Sequence, residues 1–223
     1  MKRKIITTSD GSKTIHIEQW NEQYHSIHGA IQEAKHVFIS TGLEYFVEKH
    51  KPKSISILEI GFGTGLNALL TCMVSDHIAI PITYIGVEAY PVVQEELEAL
   101  NYCEQLNVDS TNFEAIHHAP WEQDVLITPN FTIQKQQRFF KDIKDISAFD
   151  LIYFDAFGAR VQPELWTESI FSIMYKALKP NGVLVTYSAK GSVRRAMLAV
   201  GFEVERLPGP PGKREMLRAT KIL

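Results

Sequence analysis

The sequence predicts an α/β fold built on a mostly parallel sheet, and three observations carry that prediction. Strand-like and helix-like segments alternate from residue 54 to about residue 200, the order that a parallel sheet with crossover helices requires. The strand-like runs are short, apolar and bounded by turn residues, as buried strands are. The last two of them flank a Pro-Gly-rich loop at 208–212, so they pair as a hairpin and give the sheet an antiparallel edge.

Taken in order, Ser54 to Ile60 reads as a strand running into glycines, and Leu66 to about Val74 as the helix after it. Pro81 to Val87 is a second strand. Pro91 suits a first helical turn and predicts a helix over roughly 91–101. The stretch 105–145 has a weak pattern, with strand character at Asn130 to Gln134. Phe149 to Phe154 is a strand ending at Asp155. Pro163 to Leu178 has helical character and stops at Lys179-Pro180-Asn181-Gly182, a strong breaker. Gly182 to Tyr187 is a strand, and Ser192 to Val200 a helix ended by Gly201. Phe202 to Arg206 and Glu215 to Thr220 bring the expected sheet to seven strands.

Residues 1–50 stand outside this alternation and read as a small N-terminal cap on the domain formed by 51–223. Within the cap, Thr14 to Ile17 has strand character and Ile31 to His50 helical character. Trp20, Tyr24 and Phe38 are expected as its core contacts.

A chain of 223 residues with 45% hydrophobic and 22% charged residues suits one domain with a real core. No apolar run approaches the roughly 18–20 residues of a membrane helix, and no apolar stretch follows the basic Met1-Lys2-Arg3-Lys4, so neither membrane nor secretory signal is expected. Cys72 and Cys103 lack metal-type spacing. The expectation is a reduced, cytoplasmic protein without a metal site. The net charge of −3 hides an asymmetry: residues 188–223 carry eight Lys/Arg against three acids, leaving −8 on the remainder. Such a basic tail suits an anionic partner, or is simply a solvated face.

The segment Glu59-Ile-Gly-Phe-Gly-Thr-Gly-Leu-Asn67 follows a strand and opens a helix. Gly61, Gly63 and Gly65 permit a sharp turn against which a ligand meets bare backbone, and the helix start adds free N–H donors. A dinucleotide site needs its third glycine one residue later, where this chain has Leu66. The second strand ends at Glu88, 23 residues after Gly65, close to the roughly 20-residue spacing at which an acid meets ribose hydroxyls. Asp155 stands at the carboxyl end of its strand, the edge beyond which α/β sheets bind ligands. A carboxylate at that edge could orient an amine and take its proton. Phe157 and Trp166 are close by in sequence, suited either to stacking on a base or to core packing. No cysteine falls near these strand ends, which argues against a covalent cysteine route.

Glu59 to Asn67, Phe154-Asp-Ala-Phe157, Pro163-Glu-Leu-Trp-Thr167, Val193-Arg-Arg195 and Lys213-Arg-Glu-Met216 occur in this order, preceded by Asn21-Glu22, Tyr24-His-Ser26, Gly29, Glu33 and His36-Val-Phe38. Together they resemble the methyltransferase domain of the tRNA 5-methylaminomethyl-2-thiouridine biosynthesis protein MnmC and its free-standing form MnmD, from about residue 15 to 219. The resemblance implies a Rossmann-like class I fold with S-adenosyl-L-methionine as methyl donor. It implies methylation of the exocyclic amine of 5-aminomethyl-(2-thio)uridine at the tRNA wobble position. Carried over, Glu59, Gly61, Phe62, Gly63, Thr64, Gly65, Asn67, Glu88 and Asp155 hold the cofactor. Asp155 and Phe157 attend the amine and base, and Arg194, Arg195, Lys213 and Arg214 meet tRNA phosphates. The FAD-dependent oxidase domain of the bifunctional relatives is not expected in this chain.

The chain departs from the family in three places, one of them the tail loop Pro208-Gly-Pro-Pro-Gly212, where the family tends to have Gly-Phe-Gly-Arg. Gly158-Ala-Arg-Val-Gln162 replaces a lysine-bearing run, with Arg160 as a substitute charge. Gln134-Lys-Gln-Gln-Arg138 lacks the acid near the adenine, leaving Glu122 or Asp124 as substitutes. Three other readings compete with the tRNA enzyme: a methyltransferase for a small-molecule amine, a non-catalytic RNA-binding module and an NAD(P) oxidoreductase.

Overall fold

The computed structural model describes residues 2–222. Its centre is one mixed sheet of eight strands. The parallel strands are β4 (Ile55–Ile60), β5 (Ile82–Val87), β7 (Phe131–Gln136), β8 (Phe149–Phe154) and β9 (Leu178–Thr186). Antiparallel strands close both edges: β6 (Asp124–Thr128) beside β7, and the hairpin β10 (Phe202–Pro208) and β11 (Glu215–Lys221) beside β9. The spatial order is β10-β11-β9-β8-β4-β5-β7-β6. The helices α3 (Leu66–Ile78), α4 (Gln94–Glu98), α5 (Tyr102–Leu106), α6 (Thr111–His118), α7 (Glu168–Ala177) and α8 (Gly191–Ala199) lie between strands in sequence. The alternation on which the α/β expectation rests is therefore real.

Both faces of the parallel strands are covered, which is why they are apolar without alternation. On one face Ile57, Tyr84, Phe131, Ile133, Leu151 and Tyr153 pack with residues of α3. On the other, Leu58, Ile60, Ile152, Phe154 and Leu184 pack with residues of α7 and α8.

The expected sheet of seven strands is corrected to eight. Asp124–Thr128 pairs back on β7 through Pro129 and Asn130. This edge strand is mostly half-exposed, with Leu126 68% exposed, so it lacks the apolar signature of a buried strand. The helix expected over 91–101 is shorter, Gln94–Glu98, and a second short helix follows at Tyr102–Leu106. Pro91 stays outside both, and Asn101 is withdrawn to tie down the N-terminal sheet: its Nδ2 donates to the Gly11 carbonyl at 3.1 Å and its Oδ1 accepts from Lys13 N–H at 2.8 Å. The helix expected from Pro163 begins as a 3-10 turn over Pro163–Trp166, where Trp166 Nε1 donates to the Phe157 carbonyl at 2.7 Å. The strand expected from Gly182 starts at Leu178, because the Lys179–Gly182 stretch bulges inside the ladder.

The residues expected as a cap divide into two parts. β1 (Arg3–Thr7), β2 (Lys13–Ile17) and β3 (Glu22–Gln23) form a separate three-stranded antiparallel sheet. The following helix, α1 (Ala30–Ala34), passes through wide π-type turns at Lys35–Glu44 into α2 (Tyr45–His50). Val37, Phe38, Leu43 and Phe46 bury it in the same core as Ile57 and Tyr153, with Phe38 tilted on Tyr153 at 5.2 Å. This helix belongs to the layer covering the sheet.

Strand β4 neighbours β5 on one side and β8 on the other, so chain direction across the sheet reverses here. The connections that leave the carboxyl ends of β4 and β8 part to opposite sides and open a crevice beyond them, as at other topological switch points. One contact ties the core to that crevice. Phe62, 4% exposed, lies so close over Gly86 of β5 that a Cβ there would fall 2.4 Å from its ring. Gly86→Ala is expected to lower stability by about 1–3 kcal/mol through overpacking. Thermal melts should show partial recovery when Phe62→Leu is added.

Candidate active site

The crevice begins at the turn between β4 and α3. Gly61, Gly63 and Gly65 all have positive φ, at 90°, 50° and 72°, where a side chain is strained. At Gly61 a Cβ would also fall 2.7 Å from the Asp155 carbonyl. The turn is thus bare backbone for two reasons, conformation and contact. Asp155 N–H donates to the Ile60 carbonyl at 2.9 Å, fastening the ends of β8 and β4 together.

Three side chains organise the floor. Asn67, in the first turn of α3, donates its Nδ2 to Glu59 Oε1 and to Asp155 Oδ2, each at 2.9 Å. Glu59 is fully buried behind the turn, and burial holds its carboxyl well above the usual range. Asp155 is half-buried at the crevice floor. Burial, then the nearby Glu33 charge, push it up to about 7 against the opposing pull of Asn67 and Lys213. Glu88 accepts N–H bonds from Gly63 at 3.1 Å and Tyr90 at 3.0 Å, while burial raises its carboxyl.

The cavity measures about 1320 Å³, above the roughly 300–1,000 Å³ of an ordinary single-ligand pocket. Gly61, Phe62, Gly63, Thr64, Asn67, Glu88, Asp155, Phe157 and Lys213 all line it. Glu59 lies behind it, Gly65 beneath the turn against His117. Arg194, Arg195 and Arg214 lie outside its wall, whereas Lys190 stands at it. Glu122 and Asp124, the acids weighed for the adenine end, are engaged elsewhere: Glu122 accepts from Gln137 N–H at 2.7 Å and Asp124 from Gln134 Nε2 at 3.1 Å. That end of the crevice instead presents Tyr90 and Phe139.

The N-terminal segment supplies side chains that sequence reading assigned to a cap core. Trp20 and Tyr24 stand edge-on to Phe157, with ring centroids 5.5 and 4.9 Å away. All three line the crevice. Arg160 fixes this wall by donating to the Trp20 and Asn21 carbonyls at 2.9 Å and to Glu22 at 2.8 Å, so its charge serves the wall. Glu33, Tyr187 and Lys190 also line the crevice and were missed. Only the Tyr24-His-Ser26 and Glu33 positions of the family pattern hinted at them.

A glycine turn, an acid at the end of each neighbouring strand and a helix start facing the turn suit a nucleoside-bearing cofactor with a charged amino-acid tail. Residues 130–222 match the family described as S-adenosyl-L-methionine-dependent methyltransferase. That part of the chain is similar to this class of methyltransferases. The bifunctional MnmC protein of Pseudomonas paraeruginosa is 27% identical over 90% of this chain, and that of Ectopseudomonas mendocina 29% over 89%. The chain spans about a third of the length of either relative, 32% in both cases. Among solved structures, MNMC2 from Aquifex aeolicus superposes with a TM-score of 0.76 at 24% identity, covering 98% of this chain and 69% of that one. The methyltransferase fold is thus shared across the chain, the N-terminal segment included.

The bare turn, with no Cβ that a ligand must displace, fits S-adenosyl-L-methionine. Gly61 to Thr64 and Asn67 could hold its amino-acid part, and Glu88 could accept from its ribose hydroxyls.

An unfolded chain releases the Asp155 proton near the ordinary value of about 3.9, whereas the folded chain keeps it to about 7. This group's contribution to stability therefore falls as pH rises between those values. Asp155→Asn, which cannot ionise, should melt several degrees above the wild type at about pH 8 and close to it at about pH 4. Equal differences at both pH values would show that Asp155 titrates normally.

Proposed function

We propose that the chain transfers the methyl group of S-adenosyl-L-methionine to the exocyclic amine of 5-aminomethyl-(2-thio)uridine at the tRNA wobble position, giving 5-methylaminomethyl-(2-thio)uridine. The observation that carries this reading is the Asp155 carboxyl at the crevice floor, joined through Asn67 to the glycine turn and faced by the Trp20, Tyr24 and Phe157 rings. The names of the MnmC relatives supply the substrate.

The cofactor, when bound, supplies an electrophilic methyl group on a sulfonium. The protein then has to present a neutral amine in line and exclude water. Asp155, as carboxylate, accepts an N–H of the amine, orients its lone pair and takes the proton released on methylation. Its raised proton affinity suits that role near neutral pH, and a bound sulfonium nearby favours the ionised form. The three rings supply faces and edges on which a uridine stacks.

The tRNA path we assign to the basic C-terminal side. Lys190 at the crevice wall opens α8, which carries Arg194 and Arg195, and Arg214 lies on the β10–β11 loop. These side chains meet phosphates and give salt-dependent binding. Neither a metal nor a second cofactor has a part in this reading.

Incubation of 5-aminomethyl-uridine tRNA with enzyme and S-adenosyl-L-methionine should add one methyl group to that nucleoside, read by nucleoside mass spectrometry. No gain on tRNA with turnover of free amines would replace this reading with a small-molecule methyltransferase. Asp155→Ala should cut turnover by roughly 10²–10⁴-fold, the usual worth of a positioned general base, while circular dichroism stays native. Arg195→Glu with Arg214→Glu should weaken tRNA binding and flatten its salt dependence, leaving calorimetric binding of the cofactor unchanged.

A further inference from the structure

Lys213 is expected from the family resemblance as a phosphate contact, yet its side chain turns inward. Its ammonium lies 3.9 Å from the centre of the Tyr187 ring and is paired with Glu33. The Glu33 carboxylate is itself 7% exposed and accepts Ser26 N–H at 2.8 Å. Gly212 packs against the His28 ring, so the β10–β11 loop sits down on residues 26–33. Tyr187 in turn donates its hydroxyl to the carbonyl of Ala156, the neighbour of Asp155, at 2.8 Å. Glu33, Lys213, Tyr187 and Asp155 line one end of the same crevice.

Removing an ion pair from water gains little stability by itself, so the partial burial of this one, in the wall of the crevice that holds Asp155, points to a task. We propose that Glu33 and Lys213 are positioning residues that set the charge around Asp155, leaving it able to take the proton of the incoming amine. The inference rests on the amine methylation proposed above.

Asp155 is faced by Asn67 of α3, Glu59 of β4, Glu88 beyond β5, Glu33 of α1, Tyr187 after β9 and Lys213 of the β10–β11 loop. Burial raises both the Glu59 carboxyl and the Tyr187 hydroxyl well above their usual ranges. Glu33 is the acid that most disfavours a second negative charge at Asp155, and Lys213 the cation that offsets it. With Lys213 in place, Asp155 ionises near neutrality. Without it, the two carboxyls compete for one proton. The cation also favours a neutral amine over an ammonium beside it. When such an amine gains a methyl group it carries one surplus N–H proton. That proton passes to an Asp155 carboxylate oxygen, then to water as the product leaves.

The test is a pH titration of the Asp155 side-chain carboxyl by ¹³C NMR, assigned with Asp155→Asn, in the whole chain without substrate. Lys213→Met should move the titration up, and Glu33→Gln should move it down, each by about one pH unit. The double variant should return toward the wild type, and Lys213→Arg should keep the wild-type midpoint. The acidic limb of kcat/KM should follow the same order. A merely structural role moves no titration in opposite directions. Unchanged midpoints, or shifts of one sign in both single variants, overturn the proposal. If Lys213→Met does not fold, Glu33→Gln and Lys213→Arg decide by the same criteria. Opposite shifts in a chain that leaves tRNA unmethylated would remove the proposed substrate and keep the charge pair. Methylated tRNA with fixed midpoints would do the reverse.

Discussion

The site depends on one amide shared by two carboxyls. Asn67 gives its Nδ2 to both Glu59 and Asp155, and so joins the end of β4, the start of α3 and the end of β8 at a single point. Two ionised carboxylates this close would repel strongly at low dielectric. Burial raises the Glu59 carboxyl well above its usual range and pushes Asp155 up to about 7, so ionisation of both together is disfavoured.

Around that point the backbone is stripped of side chains on one side and crowded with them on the other. The glycine turn leaves main chain exposed where Cβ atoms would collide with the Asp155 carbonyl or strain the chain. Opposite, Trp20, Tyr24 and Phe157 meet edge-on. One side suits a ligand that must lie close to the backbone, the other a flat ring. The cavity is large enough for both at once. The N-terminal sheet is therefore part of the site wall, and Arg160 secures it from the far side of the crevice.

Much of this was legible in the sequence, though unevenly. The Glu59–Asn67 segment is readable because L-residues resist the left-handed region, so three glycines in a strand-to-helix turn announce its shape. Asp155 is readable because a strand ends there. The edge strand β6 was not, since half its residues face water and leave no apolar run. Nor was the true role of Trp20 and Tyr24: aromatic residues look alike in sequence whether they fill a core or line a crevice. The family resemblance implies an outward, phosphate-binding Lys213, but its partner Glu33 lies 180 residues away in the chain.

The sequence by itself determined the alternating α/β order, the bare turn and the acids at the ends of neighbouring strands. These are properties of short segments, fixed by backbone sterics and periodicity. Only the tertiary structure decided which distant side chains close the site and what charge they carry. It brought Trp20 to Phe157, Lys213 to Glu33 and Glu33 into electrostatic reach of Asp155. Proximity between far segments, and the low dielectric that gives their charges weight, exist only once the core has packed.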